Sequence, residues 1–182
     1  MGAMERARYY AEILGCDVGL FYKRRDLSKV VDGKNPIIEH IYLGKNPEDC
    51  TVLVIDDMIA SGGSMLDVAK ELKKRNAKNI YLISTFALFT SGIENFEEAY
   101  KNKLFNKVYS TNLLYVPDII KEKEWYHSVD CTKQLAEVIL EHNTTGRIYE
   151  IDLDDEKRLI QDINKNRQNG NLNTKKRSEK NG

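Results

Sequence analysis

Apolar positions alternate between helical and strand periods along most of the chain. Met4, Ala7, Ala11 and Leu14 recur at the spacing of one helix face, and Gly15 follows as a stop signal. Residues 18–22, Val-Gly-Leu-Phe-Tyr, read as a short buried strand. Residues 23–50 are polar and charged, punctuated by Gly33, Pro36, Gly44 and Pro47. So long a connection in a compact domain is a functional or mobile loop, and Ile37 to Leu43 is a candidate strand within it. Residues 51–55, Thr-Val-Leu-Val-Ile, form a continuous β-branched run, the mark of a strand covered on both faces. Met65, Val68, Ala69 and Leu72 then predict an amphipathic helix, with Lys70, Lys73, Lys74 and Arg75 toward solvent and its C-terminus. Residues 80–86 read as a second buried strand. Ser91 with Glu94 three residues on predicts a capping box for a helix through Ile93, Phe96 and Tyr100. Residues 107–111 and 126–130 are further candidate strands. Thr132 to His142 is a helix through Leu135, Val138 and Ile139. Residues 147–163 read as an appended strand and short helix. Strands alternating with helices imply an α/β fold with a parallel sheet.

Charge divides the chain. The 182 residues suit about one domain at roughly 100–200 residues each. Lys plus Arg and Asp plus Glu both number 28, so the formal net charge is zero. That balance argues against a general nucleic-acid or membrane-surface binder. No run approaches the roughly 18 apolar residues of a membrane span, and no signal-peptide core follows Met1. Residues 165–182 carry six basic residues against Glu179 alone, with Leu172 the one large aliphatic side chain. Such a stretch buries too little to offset its ordering entropy and reads as a disordered, solvated tail. The folded domain is accordingly expected at 1–163, with 164–182 as tail. Cys16, Cys50 and Cys131 fit neither a zinc spacing nor a disulfide framework. A reducing cytoplasm is the default, and Cys50 and Cys131 read as ordinary buried thiols.

The strongest chemical signal lies at 52–64, Val-Leu-Val-Ile-Asp-Asp-Met-Ile-Ala-Ser-Gly-Gly-Ser. A parallel strand delivers its C-terminal end to the ligand edge of a sheet. Adjacent carboxylates there cost desolvation and mutual repulsion. Asp56 and Asp57 make sense if they accept hydrogen bonds from a polyol or sit near Mg²⁺. Gly62 and Gly63 let a phosphate approach the backbone, and Ser61 and Ser64 add hydroxyls. The helix that follows points unpaired N–H groups and a positive dipole end at the anion. Acids for sugar hydroxyls beside a phosphate cradle suit a ribose 5-phosphate. The string is neither a P-loop nor a dinucleotide fingerprint.

This string resembles the phosphoribosyl pyrophosphate (PRPP) loop of type I phosphoribosyltransferase-fold proteins. More narrowly, the chain resembles the C-terminal domain of the ribose-phosphate pyrophosphokinase (PRPP synthetase) family. Residues 2–11, Gly-Ala-Met-Glu-Arg-Ala-Arg-Tyr-Tyr-Ala, are similar to the helix after that family's metal-site aspartate. Tyr22-Lys23-Arg24-Arg25 resembles its Asp-Lys-Arg-Arg segment, and Thr85 through Gly92 its Thr-His…Ser-Gly stretch. The resemblance covers about residues 2–142. It implies a phosphoribosyltransferase-like parallel sheet flanked by helices. It implies conversion of ATP and ribose 5-phosphate to PRPP and AMP with Mg²⁺, in a homo-oligomer. Lys23 and Arg25 would be the catalytic cations, with Arg25 also gripping phosphate. Asp56 and Asp57 would bind ribose hydroxyls. Ala60, Ser61, Gly62, Gly63 and Ser64 would hold the 5-phosphate. No residue is assigned as a metal ligand. Ala60 stands where the synthetases usually carry Asp, Phe86 where they carry His, and Tyr22 where they carry Asp.

The first helix starts almost at Met1, and the strand from which such a helix normally returns does not precede it. The resemblance accounts for this as the C-terminal half of a two-domain synthetase whose N-terminal half is absent. Such a piece is expected to be inactive by itself. Two other readings stay open. Ala60 favours a stand-alone nucleobase phosphoribosyltransferase that consumes PRPP. Phe86 favours a catalytically inactive regulatory partner of a synthetase. Trp125-Tyr126-His127 is expected to pack a strand at the sheet edge, and Glu97-Glu98 to form a solvated face.

Overall fold

The computed structural model describes residues 2–25, 37–145, 160–163 and 165, and only the backbone of residues 2–3, 23–25, 37–40 and 145. Helix α1 covers Gly2–Leu14. Strands β1 (Leu20–Arg25) and β2 (Ile37–Leu43) form an antiparallel pair of their own. Then come β3 (Thr51–Ile59), α2 (Gly63–Lys74), β4 (Asn79–Ala87), α3 (Glu94–Lys101), β5 (Lys107–Thr111), α4 (Asp118–Lys121), β6 (Tyr126–Val129) and α5 (Thr132–Thr145). The tail expectation and the strand expected from residue 147 lie outside the described residues; 160–163 are helical.

Strands β3 to β6 form one parallel sheet in chain order. That order has a physical consequence. Right-handed crossovers between sequential neighbours place every intervening helix on the same face. The core lies on that face: Ile80 and Leu82 of β4 and Val108 of β5 are buried with Met65, Leu66, Ala69 and Leu72 of α2 and Phe96 and Ala99 of α3. Trp125 and Phe96 stack in its centre, with Phe89, Phe105 and Tyr126 edge-on around them. Trp125-Tyr126 thus packs the edge strand, as expected.

Two strands differ from their sequence reading. β3 and β4 were expected to be covered on both faces, but β4 alternates half-buried and buried positions from Asn79 to Thr85, and Phe86 is exposed. Tyr81, Ile83 and Thr85 look away from the core. Leu53 of β3 is 39% exposed. The reason is topological: the intervening helices share the core face, and β3 is an edge strand with α1 beside it. Helix α3 begins at Glu94 after Ile93, with no side-chain cap. The Ser91 capping box is therefore not formed. Gly92 takes positive φ there, and a side chain on it would collide with the Glu94 carboxylate. The cysteines differ too. Cys16 and Cys50 are exposed and Cys131 half-buried, all three as free thiols. Glu97 is not simply solvated, since it pairs with Lys123. Among the described residues no helix is long and apolar enough to cross a membrane.

Candidate functional site

β3 runs past the β-branched stretch to Ile59, so Asp56 and Asp57 sit inside the strand and not after it. Ala60, Ser61 and Gly62 make the turn, and Gly63 opens α2. Gly62 adopts the left-handed conformation, with φ 78° and ψ −10°, as the residue preceding the helix. Its carbonyl accepts the Leu66 N–H at 3.0 Å. A β-carbon at Gly62 would run into the Phe96 ring, which the aromatic core holds in place. Glycine is required there twice, by backbone angle and by space. At Gly63 a β-carbon would meet nothing closer than the Ser61 hydroxyl at 3.9 Å. That open side is where an anion can approach the first N–H groups of α2, which have no partner within the helix.

The loop is held from the next strand's end. The Leu88 N–H donates to the Ile59 carbonyl at 2.8 Å, and the Thr90 N–H to the Ala60 carbonyl at 2.9 Å. Ala60, Ser61, Gly63 and Ser64 are exposed while Gly62 is buried. The cradle is a rigid backbone turn with an accessible rim. A mainly apolar cleft of about 620 Å³ opens beside Asp56 and Ser64. It runs along β3 under α1 and Phe21, next to the cradle rather than in it.

The two carboxyl groups are not equivalent. The Asp57 N–H donates to Asp56 Oδ1 at 2.9 Å. Burial raises the Asp56 carboxyl above the ordinary carboxylate range, and the neighbouring Asp57 adds to that rise. Asp57 lies below the range, chiefly through the hydrogen bond from the Asp56 side chain. Across from both stands Arg6 of α1. Its Nη1 is 4.0 Å from Asp56 Oδ1 and its Nη2 is 3.6 Å from Asp57 Oδ2. Sequence reading assigned Arg6 no role, because one basic residue on an amphipathic helix carries no local signal.

The structure thus brings Asp56, Asp57, Ala60, Ser61, Gly62, Gly63 and Ser64 together at one sheet end. Lys23 and Arg25 belong to the separate hairpin, where Lys23 pairs with His40 and Arg25 with Ile37 across a register shift. Only their backbone is described. Phe86 lies beside Met58 in the sheet and is 38% exposed. Among the described residues no group of three or more His, Cys, Asp or Glu could hold a metal ion. Asp56 and Asp57 already face a guanidinium.

Residues 1–112 match the family model described as "Phosphoribosyl transferase domain". The chain belongs to that family. Among curated relatives, the ribose-phosphate pyrophosphokinase of Thermococcus kodakarensis is 36% identical over 124 residues, covering 66% of this chain and 42% of that protein. The ribose-phosphate pyrophosphokinase of Mycoplasma genitalium is 32% identical over 141 residues, covering 76% and 40%. The chain therefore spans about two-fifths of the length of these relatives. Among solved structures, the phosphoribosylpyrophosphate synthetase of Mycobacterium smegmatis superposes with a TM-score of 0.59 at 20% identity, over 78% of this chain and 42% of that one. At that identity the likeness bears on fold alone, and it agrees with the parallel sheet flanked by helices.

Proposed function

We propose that this chain supplies the ribose 5-phosphate side of a ribose-phosphate diphosphokinase, an enzyme that makes PRPP and AMP. The observation that carries the reading is the end of β3 with the turn that follows it. It offers two carboxyl groups, then a left-handed Gly62 and an accessible helix start, within nine residues of one strand end. The 5-phosphate takes the N–H groups of Gly63 and Ser64 and the Ser61 and Ser64 hydroxyls. Asp56 and Asp57 accept hydrogen bonds from the ribose hydroxyls. The anomeric hydroxyl oxygen then attacks the β-phosphorus of ATP and gives up its proton to solvent, and the bond from that phosphorus to the α,β-bridging oxygen breaks to release AMP. Charge builds on the bridging and equatorial oxygens in that step. Lys23 and Arg25 are the cations we assign to it. Mg²⁺ enters as the companion of the ATP phosphates, with no step routed through these residues. The relatives' names support this reading over a nucleobase transferase.

The test is binding followed by turnover. Ribose 5-phosphate should bind the 182-residue chain more tightly than inorganic phosphate in calorimetry. Equal affinity would remove the sugar from the proposal. In a complete assembly that turns over, Lys23→Ala should cut the rate by about two orders of magnitude or more while ribose 5-phosphate still binds. An unchanged rate would remove Lys23 from the chemistry. Nucleotide formation from PRPP and a free base would favour the transferase instead.

A further inference from the structure

We infer that Arg6 is a positioning residue of the sugar subsite, facing the adjoining Asp56 and Asp57 carboxyl groups together, offsetting their charge and keeping them aimed at the ribose hydroxyls. The inference rests on the reading above. Its starting point is geometric. Two carboxyl groups on consecutive residues repel each other when both are ionised. The Arg6 guanidinium spans the pair, with one nitrogen toward each. At 3.6 and 4.0 Å these are ion pairs and not hydrogen bonds. The carboxylates are thereby neutralised in part without Arg6 taking up their acceptor positions, although Asp56 Oδ1 already accepts the Asp57 N–H. Asp56 and Asp57 also keep 44% and 66% of their side chains exposed.

A second observation agrees. Arg6 Nη1 is buried and has no hydrogen-bond partner. A guanidinium presents five donors, and an unpaired buried one is costly. A purely structural arginine would be expected to close that bond on a neighbouring carbonyl. Here the group is spent on facing two acids it does not bond. Among the described residues, the charged groups facing Asp56 are Arg6 of α1 and Asp57 beside it. Its register neighbour on β4 is Ser84, and α2 opens with Gly63-Ser64-Met65, all uncharged. Removing Arg6 therefore leaves the pair without a described cation.

The experiment compares the full chain with Arg6→Gln and Arg6→Lys. Carbon-13 NMR of the aspartate carboxyl groups, with no ligand present, should show both titrations moving to higher pH in Arg6→Gln and returning toward the parent in Arg6→Lys. Unchanged titrations in Arg6→Gln would overturn the inference, whatever the sugar does. Ribose 5-phosphate should then bind Arg6→Gln about tenfold more weakly. Inorganic phosphate, which meets only the cradle, should change less than about twofold. An equal loss for both probes would make Arg6 a general anion attractor and also overturn the inference. If the parent chain prefers no sugar at all, the function proposed above fails, and the carboxyl titrations still decide the role of Arg6.

Discussion

At the residue scale the cradle depends on a single atom's absence. Gly62 has positive φ, and the Phe96 ring fills the space where its side chain would go. Left-handed backbone costs a non-glycine residue about 1–2 kcal/mol, and overpacking a filled core costs about 1–3 kcal/mol. Gly62→Ala should destabilise the chain by about 2 kcal/mol or more in urea unfolding and abolish phosphate binding. Gly63→Ala meets open space, so its stability should change little while the new methyl obstructs the anion. Asp130 makes a prediction about pH. Its carboxylate accepts hydrogen bonds from the Thr132 hydroxyl and N–H and from the Asn112 amide, which together hold it below the ordinary carboxylate range. A carboxyl lowered in the fold contributes stability above its unfolded-state value and loses it as pH falls through the folded one. Asp130→Ala should therefore lower the urea midpoint at neutral pH. Its midpoint should also fall less than the parent's on acidification below the ordinary carboxylate range.

At the element scale the aromatic core and the hairpin make contrasting cases. Phe96 is fully buried and touches Phe89, Phe105 and Trp125. It also lies beneath Gly62, so the core supports the site directly. Phe96→Ala should cost about 3–5 kcal/mol and loosen the cradle, which calorimetric unfolding and phosphate binding would both register. β1 and β2 hydrogen-bond as strands only to each other among the described residues. Phe21 packs against the core and Tyr42 tilts onto Phe21, and the Tyr42 hydroxyl donates to the Lys45 carbonyl at 2.8 Å. With few anchors, the hairpin should open more readily than the sheet. Amides of β1 and β2 should exchange with deuterium well before those of β4.

How much of this was legible in sequence varies by element. The α2 stripe was, since an amphipathic helix records its own buried face. β5 and β6 were, from short runs of β-branched and aromatic residues. The antiparallel pairing of β1 was missed, because Lys23 to Arg25 reads as charged loop and pairs with residues on the far side of a long connection. α4 was missed because one turn leaves no period to detect. The capping box at Ser91 failed because Gly92 turned the chain before the helix began.

At the scale of the whole molecule, the helices between successive strands share one face of the sheet, and β3 lies at one edge with α1 packed beside it. Among the described residues the exposed apolar side chains include Leu53 on β3 and Leu135, Ile139 and Leu140 on α5. The chain also spans only about two-fifths of the relatives it matches. We accordingly expect it to bind ribose 5-phosphate weakly and to release no AMP from ATP without further polypeptide. Clear AMP release by the purified chain, measured chromatographically, would contradict that expectation.

The sequence by itself determined the order of strands and helices along most of the sheet and the place of the turn that joins the two acids to the glycines. Both are local: a period of apolar residues, or a string of acids and glycines, acts through neighbours in the chain. Only the tertiary structure decided what surrounds that turn. Arg6 meets Asp56 and Asp57, and Phe96 reaches Gly62, across long separations in sequence. It also decided that β3 would be an outer strand, because burial of an apolar run depends on which elements come to lie beside it. Contacts of this kind are set by how the helices pack against the sheet, and no local pattern records them.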